Sequence, residues 1–152
     1  MPSRQKARGR KESGPFVAIP KQVLESSAYA VLTAHEVKLL IDLTVQYNGS
    51  NNGDLCVAWS MMKTKGWKSK GTLYRAIKGL LERGFLVLTR QGGKHKPSLY
   101  AITFRAIDEC KGKLDVQPTV TALNSWKKNR FATPNKYQCA PNEYQLSDIS
   151  TG

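Results

Sequence analysis

Ser69, Thr72 and Arg75 stand three residues apart, so on a helix they would share one edge near its start. Lys68, Lys70 and Lys78 surround them. An arginine there can make two parallel hydrogen bonds to guanine O6 and N7, and a threonine can meet a base edge or a thymine methyl. Gly71 removes a side chain and would permit close approach, and a helix start can hold a phosphate. A second cluster, Arg90, Lys94, His95 and Lys96, crowds residues 90–97 around Gly92 and Gly93. Lysines on such a loop are point charges suited to a sugar-phosphate backbone or a minor groove. The chemistry these residues can do is recognition of a polyanion.

The charge distribution agrees. The chain has 152 residues, 24 basic and 11 acidic, for a net charge of +13. Residues 60–100 hold ten basic residues against the single acid Glu82, a net +9, whereas residues 15–59 come to −2. A charge that served solubility alone would be spread more evenly, and this concentration is the footprint of a nucleic-acid-binding face.

Other chemistries fail on spacing. Asn48-Gly49-Ser50-Asn51-Asn52-Gly53 starts like a calcium loop, but Trp59 occupies the twelfth position, where a bidentate Glu is needed. His35 and His95 have no nucleophile and orienting carboxylate placed near them, so both read as surface histidines. Cys56, Cys110 and Cys139 are odd in number and far apart, which defines neither a disulfide framework nor a zinc site, and Cys56 reads as a buried thiol. No metal, cofactor, small-molecule ligand or catalytic activity is expected. No apolar run reaches the ~18 residues of a membrane span, and the basic N-terminus has no apolar stretch behind it. A cytoplasmic, nucleoid-associated protein is expected.

The elements that must position the basic clusters follow from periodicity. Residues 1–14 form a disordered basic arm, and 21–31 a short helical segment. Thr33-Ala34-His35-Glu36 is a capping box, opening a helix to about Tyr47 with Val37, Leu40, Ile41, Thr44 and Val45 inward. A short strand at Leu55–Val57 precedes a helix at about 58–65, closed by Gly66. Ser69 caps a third helix, running to about Arg83 and burying Leu73, Ile77, Leu80 and Leu81. Strands at 85–89 and 98–103 make a hairpin, with Leu99, Ala101 and Thr103 alternating against Tyr100 and Ile102. A turn of helix at 104–110 ends the domain 15–110, and 111–152 reads as a low-order tail. The class is α+β: mainly α, with one small antiparallel hairpin.

Helix, short strand, helix–turn–helix and two-stranded hairpin, in that order, resemble the winged helix-turn-helix family. More narrowly, Phe16–Thr103 is similar to small winged-helix proteins of bacterial prophages and plasmids, including the DNA-binding domains of phage replication initiators. The carrying residues are Phe16-Val17-Ala18-Ile19-Pro20, Asn51-Asn52-Gly53, Gly66-Trp67-Lys68-Ser69-Lys70 and Gly84-Phe85-Leu86. The resemblance implies a non-catalytic double-stranded DNA-binding protein acting in transcription regulation or replication initiation of a mobile element. Its helix 69–83 would lie in the major groove, with its wing 90–97 on the backbone or minor groove. A homodimer is possible, through the first helix or the C-terminal tail. The alternatives are a protein–protein adaptor on a winged-helix scaffold and an RNA-binding basic protein.

Overall fold

The structure, a computed structural model, describes residues 14–128. Most of the basic arm expected over 1–14, and the tail beyond Lys128, lie outside the described residues. Among the described residues, six α-helices and a three-stranded antiparallel sheet make up a mixed α+β body.

The helical segment expected over 21–31 is two single turns, α1 (Lys21–Leu24) and α2 (Ser27–Ala30). Ser26 divides them. Its hydroxyl donates to the Val23 carbonyl at 2.6 Å, closing one turn, and accepts from the Tyr29 N–H at 3.1 Å, capping the next. Helix α3 (Ala34–Gln46) starts with the expected capping box: Thr33 Oγ1 accepts from Glu36 N, and Glu36 Oε1 accepts from Thr33 N. Its buried face is rotated from the expected one. Glu36, Leu39, Leu40, Leu43 and Thr44 are buried, whereas Ile41 and Val45 are exposed. Glu36 can lie inside because both of its carboxylate oxygens have hydrogen-bond partners, so the apolar period alone does not set the face.

The loop after α3 is more than a polar connection. Asn52 is fully buried, and its Nδ2 donates to the carbonyls of Ile102, Arg105 and Ala106 while its Oδ1 accepts from Ile102 N. One side chain thereby pins the loop to the sheet. The Gln46 amide bonds both backbone groups of Cys56, tying the end of α3 to β1 (Leu55–Cys56). Cys56 itself is only half-buried, because β1 is a sheet edge.

Helix α4 (Trp59–Met62) tightens into a 3-10 turn at Lys63–Lys65 and ends at Gly66, whose φ of 93° is the left-handed conformation glycine adopts without strain. Trp67 follows, buried, with its Nε1 donating to Asp42 Oδ2 at 2.9 Å and its ring 5.9 Å from that of His35. Helix α5 (Lys70–Glu82) is capped by Ser69, whose Oγ accepts from Thr72 N. It buries Leu73, Ala76, Gly79 and Leu80, while Ile77 and Leu81, expected fully inside, pack half-buried at the edge of the core.

Strands β2 (Leu86–Arg90) and β3 (Leu99–Ile102) form the hairpin, and β1 pairs on the far side of β3, giving the order β1-β3-β2. Because β3 is central, Leu99 to Thr103 are all buried and the expected alternation is absent. The expected helical turn at 104–110 does not form; a 3-10 turn at Cys110–Gly112 stands instead.

Residues 111–128 correct the expected domain boundary. Asp115 N donates to the Thr89 carbonyl on the edge of β2, and Asn124 N donates to the Thr103 carbonyl. The last helix, α6 (Ser125–Lys128), lays the buried Trp126 ring parallel to Phe85, with centroids 6.3 Å apart. A Cβ at Gly84, which sits at φ 80°, would stand 2.7 Å from the Ser125 carbonyl carbon, so only glycine admits this strap. The segment reads as low-order because its partners are distant in sequence. Among the described residues, no helix is long and apolar enough to cross a membrane.

Candidate nucleic-acid interface

The first two turns of α5 place the first cluster. With Leu73, Ala76 and Leu80 inward, Lys68, Ser69, Lys70, Arg75 and Lys78 are exposed and Thr72 is half-exposed. Thr72 Oγ1 accepts from Arg75 Nη2 at 3.3 Å, which lays the guanidinium along the helix edge. Lys78 Nζ is 4.0 Å from Glu82 Oε1, and among the described residues no ion pair engages Lys68, Lys70 or Arg75. A Cβ at Gly71 would meet nothing nearer than Arg75 Nη1 at 3.5 Å, consistent with an open surface. Tyr74, 67% exposed, stands in the middle of this cationic edge.

The second cluster sits on a closed tip, not on the loose glycine loop that the sequence suggests. Gly93 N donates to the Lys96 carbonyl at 2.8 Å, and Gly92 N donates to Ser98 Oγ at 2.9 Å. A Cβ at Gly92 would stand 2.7 Å from the Lys96 carbonyl oxygen, so glycine is what lets the strands close. Lys94, His95 and Lys96 are thereby held at the exposed end. Arg90, the remaining expected contact residue, also has a structural partner. Half-buried, it donates from Nη2 to the Pro97 carbonyl at 3.1 Å and braces the hairpin across its width.

Tyr100, on the central strand between Leu55 and Leu88, lines the cleft beside the tip. Burial pushes its hydroxyl pKa up; a hydrogen bond with Ser98 partly offsets this, and Cys56 and Tyr74 push it further. The tip also faces the start of α4 across a cleft of about 480 Å³ lined by Val57, Ala58, Lys94, His95, Lys96 and Tyr100.

Beneath α5 lies a latch that the sequence did not disclose. Glu36 Oε2 accepts from Arg83 Nη1 at 2.6 Å, with the Glu36 side chain buried and that of Arg83 13% exposed. Arg83, one of the ten cations in the basic stretch, is thus committed to holding α5 against α3. Gly79 makes room for the pair: a Cβ there would stand 2.6 Å from Glu36 Cδ. Asp42 plays a matching part at the turn, receiving both Lys38 Nζ at 3.1 Å and Trp67 Nε1. Neither Glu36 nor Asp42 carried a local signal for these roles, since their partners lie 47 and 25 residues away.

Among the described residues, no group of three or more His, Cys, Asp and Glu side chains converges as a metal site would require. Compared with known proteins, the chain matches no family model, no curated protein and no solved structure. What fold and surface define is an α+β domain that presents a capped cationic helix start beside a braced cationic hairpin tip.

Proposed function

We propose that this chain is a winged helix-turn-helix protein that binds double-stranded DNA without catalysing a reaction on it. Helix α5 enters the major groove with Ser69, Thr72 and Arg75 toward base edges. Lys68, Lys70 and Lys78 meet flanking phosphates, and Lys94, His95 and Lys96 on the hairpin tip meet the backbone or minor groove. The observation that carries this reading is the exposed, Ser69-capped start of α5 with Arg75 held along its edge by Thr72. The rigid supports beneath it, Trp67 on Asp42 and Arg83 on Glu36, fit a helix whose position must be reproducible. Such a protein would act with the nucleoid, regulating transcription or marking a replication origin of a bacterial mobile element.

Selection of bound fragments from random duplex DNA tests the reading. A shared motif should emerge with the full chain and lose preference at one base pair with Arg75→Ala. Fragments without any motif would leave only phosphate binding. Preference for structured RNA over duplex DNA, or no nucleic-acid binding at all, would favour an RNA-binding protein or an adaptor instead.

A further inference from the structure

Among the described residues, Tyr74 is the only large hydrophobic side chain left exposed within the basic stretch 60–100. The other aromatic residues of that stretch, Trp67, Phe85 and Tyr100, are buried. Tyr74 is 67% exposed, and among the described residues no ring stacking or cation–ring contact engages it. Lys70 and Lys78, four residues before and after it, put a cation one turn to either side.

Successive residues of a helix stand about 100° apart around its axis, so Tyr74 and Arg75 diverge on α5. Arg75 takes the flank that faces the start of α3, where it lines a groove with Thr33, His35 and Thr72. Tyr74 takes the other flank. Gly71 lies one turn before both, three residues from Tyr74 and four from Arg75, so it falls between them. Packing within the chain does not call for a glycine there. An added Cβ would have Arg75 Nη1, at 3.5 Å, as its nearest neighbour, whereas at Gly79 it would collide with Glu36. Glycine inside a helix weakens it, so this one fits a close approach from outside. The three residues form a notch, with backbone as its floor, a ring on one side and a guanidinium on the other.

We propose that Tyr74 reads a thymine, whose C5-methyl packs on its ring above Gly71, beside the guanine that Arg75 reads. The inference deepens the duplex-DNA reading of α5 and rests on it. The thymine methyl is the apolar group that base pairs present in the major groove; the other groups read there are hydrogen-bond donors and acceptors. A tyrosine ring offers an apolar face to that methyl while its hydroxyl stays in water. Ring and guanidinium side by side thus specify two neighbouring base pairs by two different chemistries.

The test replaces each thymine of the duplex selected by the full chain, one at a time, with deoxyuridine, which removes only the methyl. At one thymine, next to the base pair whose preference Arg75→Ala relaxes, the replacement should weaken binding about fourfold, the worth of one buried methyl. Tyr74→Ala should bind the thymine and deoxyuridine duplexes equally, with its thermal transition in place because the side chain lies outside the core. Tyr74→Phe, which keeps the ring, should keep the fourfold difference. A preferred duplex that no deoxyuridine weakens, a methyl preference that survives Tyr74→Ala, or one lost in Tyr74→Phe overturns the role of Tyr74 and leaves DNA reading by α5 standing. If the full chain selects no preferred duplex, the reading of α5 fails and this inference fails with it.

Discussion

Gly79 is the sharpest place to test whether the latch holds α5. Replacing glycine by alanine inside a helix ordinarily stabilises by about 1 kcal/mol. At Gly79 the new Cβ would stand 2.6 Å from Glu36 Cδ. The end of a glutamate can usually step aside at little cost, but here both oxygens are committed. Oε1 accepts from Thr33 N at 3.1 Å and Oε2 from Arg83 Nη1 at 2.6 Å. Displacing the carboxylate removes half of the capping box and leaves the mostly covered Arg83 guanidinium without its partner. Breaking a buried pair costs about 3–5 kcal/mol, so Gly79→Ala should destabilise by about 2–4 kcal/mol net. Urea unfolding followed by circular dichroism measures this. Gly71→Ala, in the same helix but facing open space, should be neutral or stabilising by up to about 1 kcal/mol. In a Glu36→Ala background the collision is gone, and Gly79→Ala should revert to that small favourable value, a coupling that a double-mutant cycle isolates. If Gly79→Ala alone stabilises the chain, the carboxylate is not held and the latch does not position α5.

Further outcomes follow from the strap, the interface and the hairpin. Trp126→Ala should cost about 3–5 kcal/mol in urea unfolding, because its buried ring stacks on Phe85; a negligible cost would restore the domain end to residue 110. Arg75→Ala should weaken the preferred duplex by about 1–3 kcal/mol with little effect on a scrambled one, whereas Lys94→Ala with Lys96→Ala should weaken both alike, as titrations of the two duplexes would show. Tyr100 is pushed up by burial, so its contribution to stability is fully present below pH about 10 and is lost as pH rises through its raised folded-state value. Thermal unfolding of the parent chain should therefore weaken at alkaline pH, and Tyr100→Phe should remove part of that loss.

What the sequence disclosed was local. The Thr33/Glu36 box, the left-handed Gly66 and the Ser69 cap each depend on residues within four positions, and all three stand where spacing put them. The exposure of Lys68, Lys70, Arg75 and Lys78 likewise follows from the period of Leu73, Ala76 and Leu80. What it hid was long-range. Asn52 looks like a loop residue until the carbonyls of Ile102, Arg105 and Ala106 arrive from fifty positions away. Arg90 reads as one more surface cation, yet Pro97 turns it into a brace. Segment 111–128 has no period of its own and takes its order from Thr89, Thr103 and Phe85.

Duplex DNA binding by the cationic face is tested most directly by the salt dependence of affinity. Titration of a labelled duplex across 50–300 mM salt, about the range in which such contacts are lost, reads the number of phosphates engaged. With about six of Lys63, Lys65, Lys68, Lys70, Lys78, Lys94 and Lys96 on phosphate, log K should fall against log salt with a slope of roughly −5. An affinity for duplex DNA that is absent, or that stays constant across this range, would contradict it.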